Sequence, residues 1–400
     1  MFDPERFLAQ LVAIIAVTRL VGGLATRVGQ PRVVGEIAAG LLLGPSLLGR
    51  VAPEFSAWLF PPATFPVLLA VSHVGLLFFM FLVGLHLDLG LLRASGRTAL
   101  VTSPVSIVVP LILGIAVAGV IRPTFAPAVS PVAFALFMGL ALSVTAFPVL
   151  ARILEERGLT DTRVGVVAIA CAAVDDVTAW CLLAGVTAYV RATSGSASFA
   201  VTLMLLAAFA AAMGWLLPPL LRRVLGPSPM AFLPVAVLCL LASAAVTEAI
   251  GVHALFGAFL AGLSMPRRAD LRRALEASLE AVTTVVLLPL FFASTGLRLD
   301  LGWLSGRAAW AAFGLILLAA VGGKLGGSML AARATGMAWP EATALGVLLN
   351  TRGLVELVIL GAGLELGVLT APVYSMMVLM ALVTTAMATP VLQWLAPSRA

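Results

Sequence analysis

Apolar runs of about bilayer length fill this chain from end to end, separated by short loops that carry arginine. A transmembrane helix needs about 20 mostly apolar residues. Thirteen stretches meet or approach that length: 6–28, 33–49, 66–86, 98–121, 132–153, 162–190, 198–222, 230–248, 251–266, 281–299, 306–332, 341–365 and 372–396. The second and ninth are short. Backbone polar groups in lipid must be bonded within the segment, so each run reads as a helix. The expected fold class is therefore an all-α polytopic membrane protein of about 13 transmembrane helices. No stretch between runs is long enough for a soluble domain, so the expectation is one transmembrane domain over residues 1–400. Met1 to Phe7 lacks an A-x-A cleavage site, which makes the first run a retained span rather than a signal peptide.

The runs repeat weakly. Phe79 to Leu89 ends in Gly-Leu-His-Leu-Asp-Leu, and Phe291 to Leu301 ends in Gly-Leu-Arg-Leu-Asp-Leu. Upstream of each lies a Gly-x4-Gly-Leu segment, at Gly35, Gly40 and Leu41, and again at Gly257, Gly262 and Leu263. These pairs match span two to span nine and span three to span ten. A shift of seven spans is odd, so the halves run in opposite orientation. Inverted repeats of this kind mark secondary transporters, with the site near the bilayer midplane. Gly/Leu-rich helices also resemble one another by composition alone.

Composition agrees with a lipid solvent. The chain is 62% hydrophobic and 10% charged, with a mean hydropathy of +1.13, whereas soluble proteins carry roughly 25% charge. The formal net charge of +6 comes from arginines in loops. They form no basic stripe, so a nucleic-acid partner is not expected. Fifteen loop arginines fall on one side and six on the other. The arginine-rich side faces the cytoplasm, which places the N-terminus outside and the C-terminus in the cytoplasm of a cell membrane. Cys171, Cys181 and Cys239 lie inside apolar runs without a CxxC, and His73, His86 and His253 lack ligand spacing. Neither a disulfide framework nor a zinc site is expected.

The candidate chemistry lies inside the spans. Asp175 and Asp176 sit near the middle of span six. A charged residue at a helix centre costs about 2.5–3.5 kcal/mol to insert, and intramembrane acids are functional by default. Two carboxylates offer hard oxygen ligands for Na+ or K+. They hold either a proton or a cation well, and that competition is the basis of exchange. Lys324, in span eleven, is the only lysine in the chain. A buried lysine can lose its proton, whereas arginine stays charged, so an ion pair with Asp175, made and broken through a cycle, is expected. Span five holds Ser143-Val144-Thr145-Ala146-Phe147-Pro148. The proline frees carbonyls that, with Thr145, could ligate a cation. Span twelve holds a polar cluster, Asn350, Arg352 and Glu356, expected to break the helix. Arg352 and Glu356 are four residues apart and can pair on one face. Their expected role is structural and dipole-compensating. Glu36 in span two and Arg19 in span one are weaker signals.

Gln30 to Glu36, Gly44 to Arg50, Ser143 to Leu154, Ala172 to Trp180 and Asn350 to Leu357 together resemble the monovalent cation:proton antiporters. The resemblance is closest to the plant cation/proton exchangers and bacterial relatives of the second branch, and it covers nearly the whole chain. It implies thirteen helices in two inverted six-helix repeats joined by a linker helix. It also implies two crossed, broken helices beside the aspartates, a mobile core and a homodimer. Asp176 is similar to the main carrier of cation and proton, Asp175 to the second acid and Lys324 to its partner, with Thr145 lining the crossing. Many plant members have Asn where this chain has Asp175. Asp-Asp with lysine is similar to electrogenic bacterial sodium/proton antiporters, while the surrounding motifs look more like those of potassium-linked exchangers. Cation choice and charge stoichiometry stay open. No GxGxxG loop is present, so nucleotide-domain gating is not expected.

The reading is a secondary antiporter exchanging Na+ or K+ for protons at a midplane Asp-Asp site. Core helices 98–190 and 306–396 would move against scaffold helices 6–86 and 230–299, with 198–222 as the linker. No cofactor and no covalent chemistry, hence no enzyme, are implied. The alternative is a sodium-coupled organic anion symporter on a related inverted-repeat fold. That would need a wider cavity rich in Asn, Gln and Ser.

Overall fold

The computed structural model describes residues 3–86, 96–193, 199–224, 232–266 and 268–395. Leu87, Asp88 and Leu89 of the first repeat copy, and the loop residues Arg93, Arg267 and Arg399, lie outside these. Among the described residues the secondary structure is helical throughout, with no strand. In chain order the apolar helices are α1 (Pro4–Arg27), α2 (Arg32–Leu43), α3 (Phe65–His86), α4 (Gly96–Phe125), α5 (Pro131–Ser143), α6 (Phe147–Glu156), α7 (Arg163–Thr193) and α8 (199–224). They continue as α9 (Leu233–Ile250), α10 (Ala254–Leu263), α11 (Ala269–Leu297), α12 (Arg307–Ala334), α13 (Trp339–Leu349), α14 (Leu354–Glu365) and α15 (Ala371–Leu395).

Eleven stretches among the described residues are long and apolar enough to cross a membrane. The chain is thus an all-α, multi-pass membrane protein. Two further apolar helices, α5 and α10, are shorter than a crossing. Some ends differ from expectation. Span two stops at Leu43, before Gly44-Pro45, and a separate short turn, Leu48–Val51, follows. Helix α11 begins at Ala269, well before the expected 281. Its first turns bury Leu271, Leu275 and Leu279 on one face and place Arg272, Arg273, Glu276 and Glu280 on the others. Charge masked this lead-in as a loop, although its apolar residues have helical spacing. Helices α8, α11 and α12 each contain a π-helical turn, at Ala212–Leu216, Thr283–Leu287 and Val321–Gly326.

The chain divides into two compact units. One comprises Met1–Ile15, Leu59–Asp88 and Leu183–Ser294. Within it, Gly84 of α3 lies on the α10 backbone, where a Cβ would run into Phe259 O and Leu263 N. Gln10 ties the start of α1 to the segment before α3, donating to Leu59 O and Thr64 Oγ1, each at 2.6 Å.

The other unit comprises Ala16–Trp58, Leu89–Leu182 and Thr295–Ala400. There Gly296 of α11 lies on α2, where a Cβ would run into Ile37 O and Leu41 N. Phe259 and Ile37 each follow the first glycine of their Gly-x4-Gly-Leu segment by two residues, and Leu263 and Leu41 each follow the second. The two glycine contacts are therefore equivalent under the repeat seen in the sequence. This unit also holds every residue singled out inside spans five, six, eleven and twelve.

Candidate functional site

Two helices in the second unit are broken. Helix α5 ends at Ser143, Val144 and Ala146 are extended, and α6 starts at Phe147. Pro148, in the first turn of α6, fits the break: it has no N–H to give to Val144 O, four residues back, so no helical bond spans the gap there. Helix α13 ends at Leu349 and α14 begins at Leu354. The breaks meet. The Ala146 N–H donates to Thr351 O at 3.0 Å, and the Thr145 hydroxyl lies 3.1 Å from Leu349 O. A Cβ on Gly353 would stand 2.7 Å from Val149 Cγ2 and 3.1 Å from Ala146 Cβ, so the approach needs a residue with no side chain.

Breaking a helix exposes carbonyls at its C-terminus, with the negative end of its dipole. Arg352 donates to Ala141 O at 2.8 Å and to Leu142 O at 2.7 Å. Lys324 Nζ donates to Ser143 O at 2.5 Å. Two buried cations thus cap the last three carbonyls of α5. Arg352 also forms an ion pair with Glu356 in the first turn of α14, at 3.3 Å. Neither Glu356 oxygen has a hydrogen bond of normal geometry, so this is a charge contact. Arg352 stands in the break rather than in a helix, which amends the expected one-face pairing and lets it reach α5 as well. Its backbone is tied to Thr385, whose hydroxyl oxygen accepts from Arg352 N at 2.9 Å and lies 2.7 Å from Arg352 O.

Asp175 and Asp176 project from the middle of α7 at 1% and 2% exposure, so both are shut away from solvent here. Asp175 is fully engaged. Its Oδ2 receives Lys324 Nζ at 2.7 Å, the Thr145 hydroxyl at 2.7 Å and the Ser106 hydroxyl at 3.0 Å. Its Oδ1 faces the hydroxyls of Ser106 at 3.1 Å and Ser103 at 3.2 Å. Lys324 has three protons to donate, and it has three acceptors: Asp175, Ser143 O and, at 2.9 Å, Ser106 O. Asp176 is the opposite case. Successive helical residues point about 100° apart, and both Asp176 oxygens are buried without a hydrogen bond of normal geometry. The Phe147 N–H, at the start of α6, lies beside its carboxylate. A buried carboxylate with so few partners is costly, and the helix N-terminus beside it offsets only part of that cost.

The chain matches the sodium/hydrogen exchanger transmembrane family over residues 12–396. The chain belongs to the sodium/hydrogen exchanger family. Among similar proteins, it is 40% identical to the Na+/H+ antiporter NhaS4 of Synechocystis sp., over 98% of each chain. It is also 40% identical to cation/H+ antiporter 20 of Arabidopsis thaliana, over 96% of this chain and 47% of that one. With the K+/H+ antiporter 1 of Saccharomyces cerevisiae it shares 34% identity, over 98% of this chain and 46% of that one. It therefore spans nearly all of the cyanobacterial relative and about half the length of the plant and yeast ones. In fold it is similar to the sodium proton antiporter MjNhaP1 of Methanocaldococcus jannaschii, with a TM-score of 0.66 and 15% identity over 96% of this chain and 95% of that one.

In this exchanger, Asp175, Thr145 and Lys324 touch, and Arg352 and Glu356 adjoin them through the end of α5. Asn350 lies in the second break with Oδ1 buried and unbonded. Glu36 pairs with Arg32 at 3.1 Å, and Arg19 and Arg152 also act on it. Sequence reading missed Ser103 and Ser106. The available signal was Thr102-Ser103-Pro104-Val105-Ser106, a polar run inside an apolar span. It also missed that Lys324 stands in a π turn, a local widening frequent at functional sites.

Proposed function

We propose that this protein exchanges a monovalent cation, Na+ or K+, for protons, and that Asp176 carries whichever ion is in transit. One observation carries the reading. Asp176 keeps two empty buried oxygens, while its neighbour Asp175 is saturated by Lys324 and three hydroxyls. A carboxylate left bare in that interior is costly, and binding either a proton or a cation relieves the cost. Only one binds well at a time, so loading one ion expels the other. Thr145, at the crossing, is the nearest hydroxyl for a cation that also reaches Asp175.

Core helices 98–190 and 306–396 then carry the loaded site past scaffold helices 6–86 and 230–299, with 198–222 as linker. The thirteen-span count, a homodimer, a cell-membrane location with the N-terminus outside, and the absence of any covalent step belong to the same reading. The organic anion symporter gains no support: Asp175, Thr145, Ser106 and Lys324 bond to one another rather than lining an anion-sized space.

The test is purified protein in proteoliposomes with an internal pH dye, adding sodium, lithium, potassium and rubidium in turn. At least one cation should release protons, and Asp176→Asn should abolish the response while the protein stays folded. No proton movement with any of the four, or full activity in Asp176→Asn, overturns the assignment.

A further inference from the structure

Helix α4 contributes nothing to the acid pair in sequence terms, yet it touches both partners of the buried ion pair. Ser103 and Ser106 are one helical turn apart, 2% and 0% exposed, and both hydroxyls face Asp175 Oδ1. The same turn offers Ser106 O to Lys324. That carbonyl is open because Pro110 stands four residues on, where a helix would place the N–H that bonds it. Gly323, next to Lys324, lets α12 come in against Pro110: a Cβ there would lie 2.8 Å from Pro110 Cα. Side chains from α4 thus hold the acid, and its backbone holds the base.

We propose that Ser103 and Ser106, with the carbonyl that Pro110 leaves open, are a clamp that keeps Asp175 on Lys324 and so leaves Asp176 as the one open carboxylate. These are positioning residues, and the proposal rests on the exchange reading above. While the clamp holds, every donor of Lys324 and both oxygens of Asp175 are taken, and the ion deals with Asp176. Loosening the clamp frees Asp175 Oδ1 to join Asp176 as a second ligand. The cation then binds more tightly and leaves more slowly.

The test uses the full chain in proteoliposomes, with whichever alkali cation drives exchange in the unaltered protein. Ser103→Ala with Ser106→Ala should lower the KM for that cation roughly tenfold, because hydrogen bonds to a charged group are removed. Maximal rate should fall with it. Ser103→Thr with Ser106→Thr keeps both hydroxyls and should restore the original KM. Pro110→Ala is the second arm. It supplies a helical N–H to Ser106 O in competition with Lys324, and should lower KM without altering either serine. A KM that stays the same or rises in Pro110→Ala and in the double alanine variant, or a fall that threonine does not reverse, overturns the clamp. Should the double alanine variant fail to fold, Pro110→Ala decides alone. If the unaltered protein moves no protons for any cation, it is the exchange reading that fails, before any variant is compared.

Discussion

At the residue scale the decisive contrast is between neighbours. Asp175 and Asp176 are the same chemical group in the same helix turn, and the structure engages one completely and leaves the other with only the N–H of Phe147 beside it. Their importance was legible in the sequence, because two acids in mid-span have no cheap structural excuse. The pairing of Asp175 with Lys324 was expected too, and the resemblance implied a separate role for Asp176; the hydroxyls that surround Asp175 were not foreseen, because they depend on which face of α7 meets α4, α6 and α12. Lys324 was legible as a lone lysine among arginines and as a partner for Asp175; its other two acceptors were not, since both are backbone carbonyls that leave no mark on sequence. The pair is wholly buried, so removing one partner strands the other. Lys324→Gln and Asp175→Asn should each destabilise the protein by about 3–5 kcal/mol. The double variant, with no charge left to strand, should cost clearly less than the sum of the two. Thermal unfolding of the purified protein in detergent measures all three. Additive losses would mean that the two side chains are not coupled as their 2.7 Å contact requires.

Elements explain why the site is where it is. A continuous helix has no free ends in mid-membrane. Two broken ones have four, and each must find a partner. Pro148 pointed to freed carbonyls in span five, the polar run from Asn350 to Glu356 to a break in span twelve, and the resemblance implied that both helices are broken. The resemblance implied that the two broken helices cross; the residues alone could not say which atoms meet, or that Arg352 serves the end of α5 as well as Glu356. That follows from tertiary approach, made possible by the missing side chain at Gly353. The π turn at Lys324 was hidden for a different reason: one extra residue in a turn changes aim without changing hydrophobic pattern. Arg352→Gln should leave the Ala141 and Leu142 carbonyls without their donors, at about 1–3 kcal/mol each, and should lower both melting temperature and exchange rate. Arg352→Lys, which lacks the planar fork, should recover only part of the loss. Equal stability for Arg352→Gln and the unaltered protein would remove the capping role.

For the molecule as a whole, the repeat found in the letters has a physical counterpart. Gly-Leu-x-Leu-Asp-Leu occurs twice in the chain, and chance among Gly/Leu-rich helices could produce that alone. Chance does not also set each Gly-Leu on the same two backbone positions of the partner Gly-x4-Gly-Leu segment. Gly84 does so on Phe259 and Leu263, and Gly296 does so on Ile37 and Leu41. The lack of a side chain is what permits the contact, as in other close helix crossings in membranes. Neither position has room for a methyl group, because the obstructing atoms are backbone and cannot turn away. Gly84→Ala and Gly296→Ala should therefore each reduce the folded yield and melting temperature, and by similar amounts. Gly119, in α4, has nothing within 4 Å of a Cβ. Gly119→Ala should be neutral or slightly stabilising, since alanine favours helix by roughly 0.5–1 kcal/mol over glycine. The comparison is sharp because all three changes add the same methyl group to an apolar helix. If Gly84→Ala and Gly296→Ala melted like Gly119→Ala, the tight crossings would not be what joins these helices. If only one were sensitive, the two halves would share a motif without sharing its use.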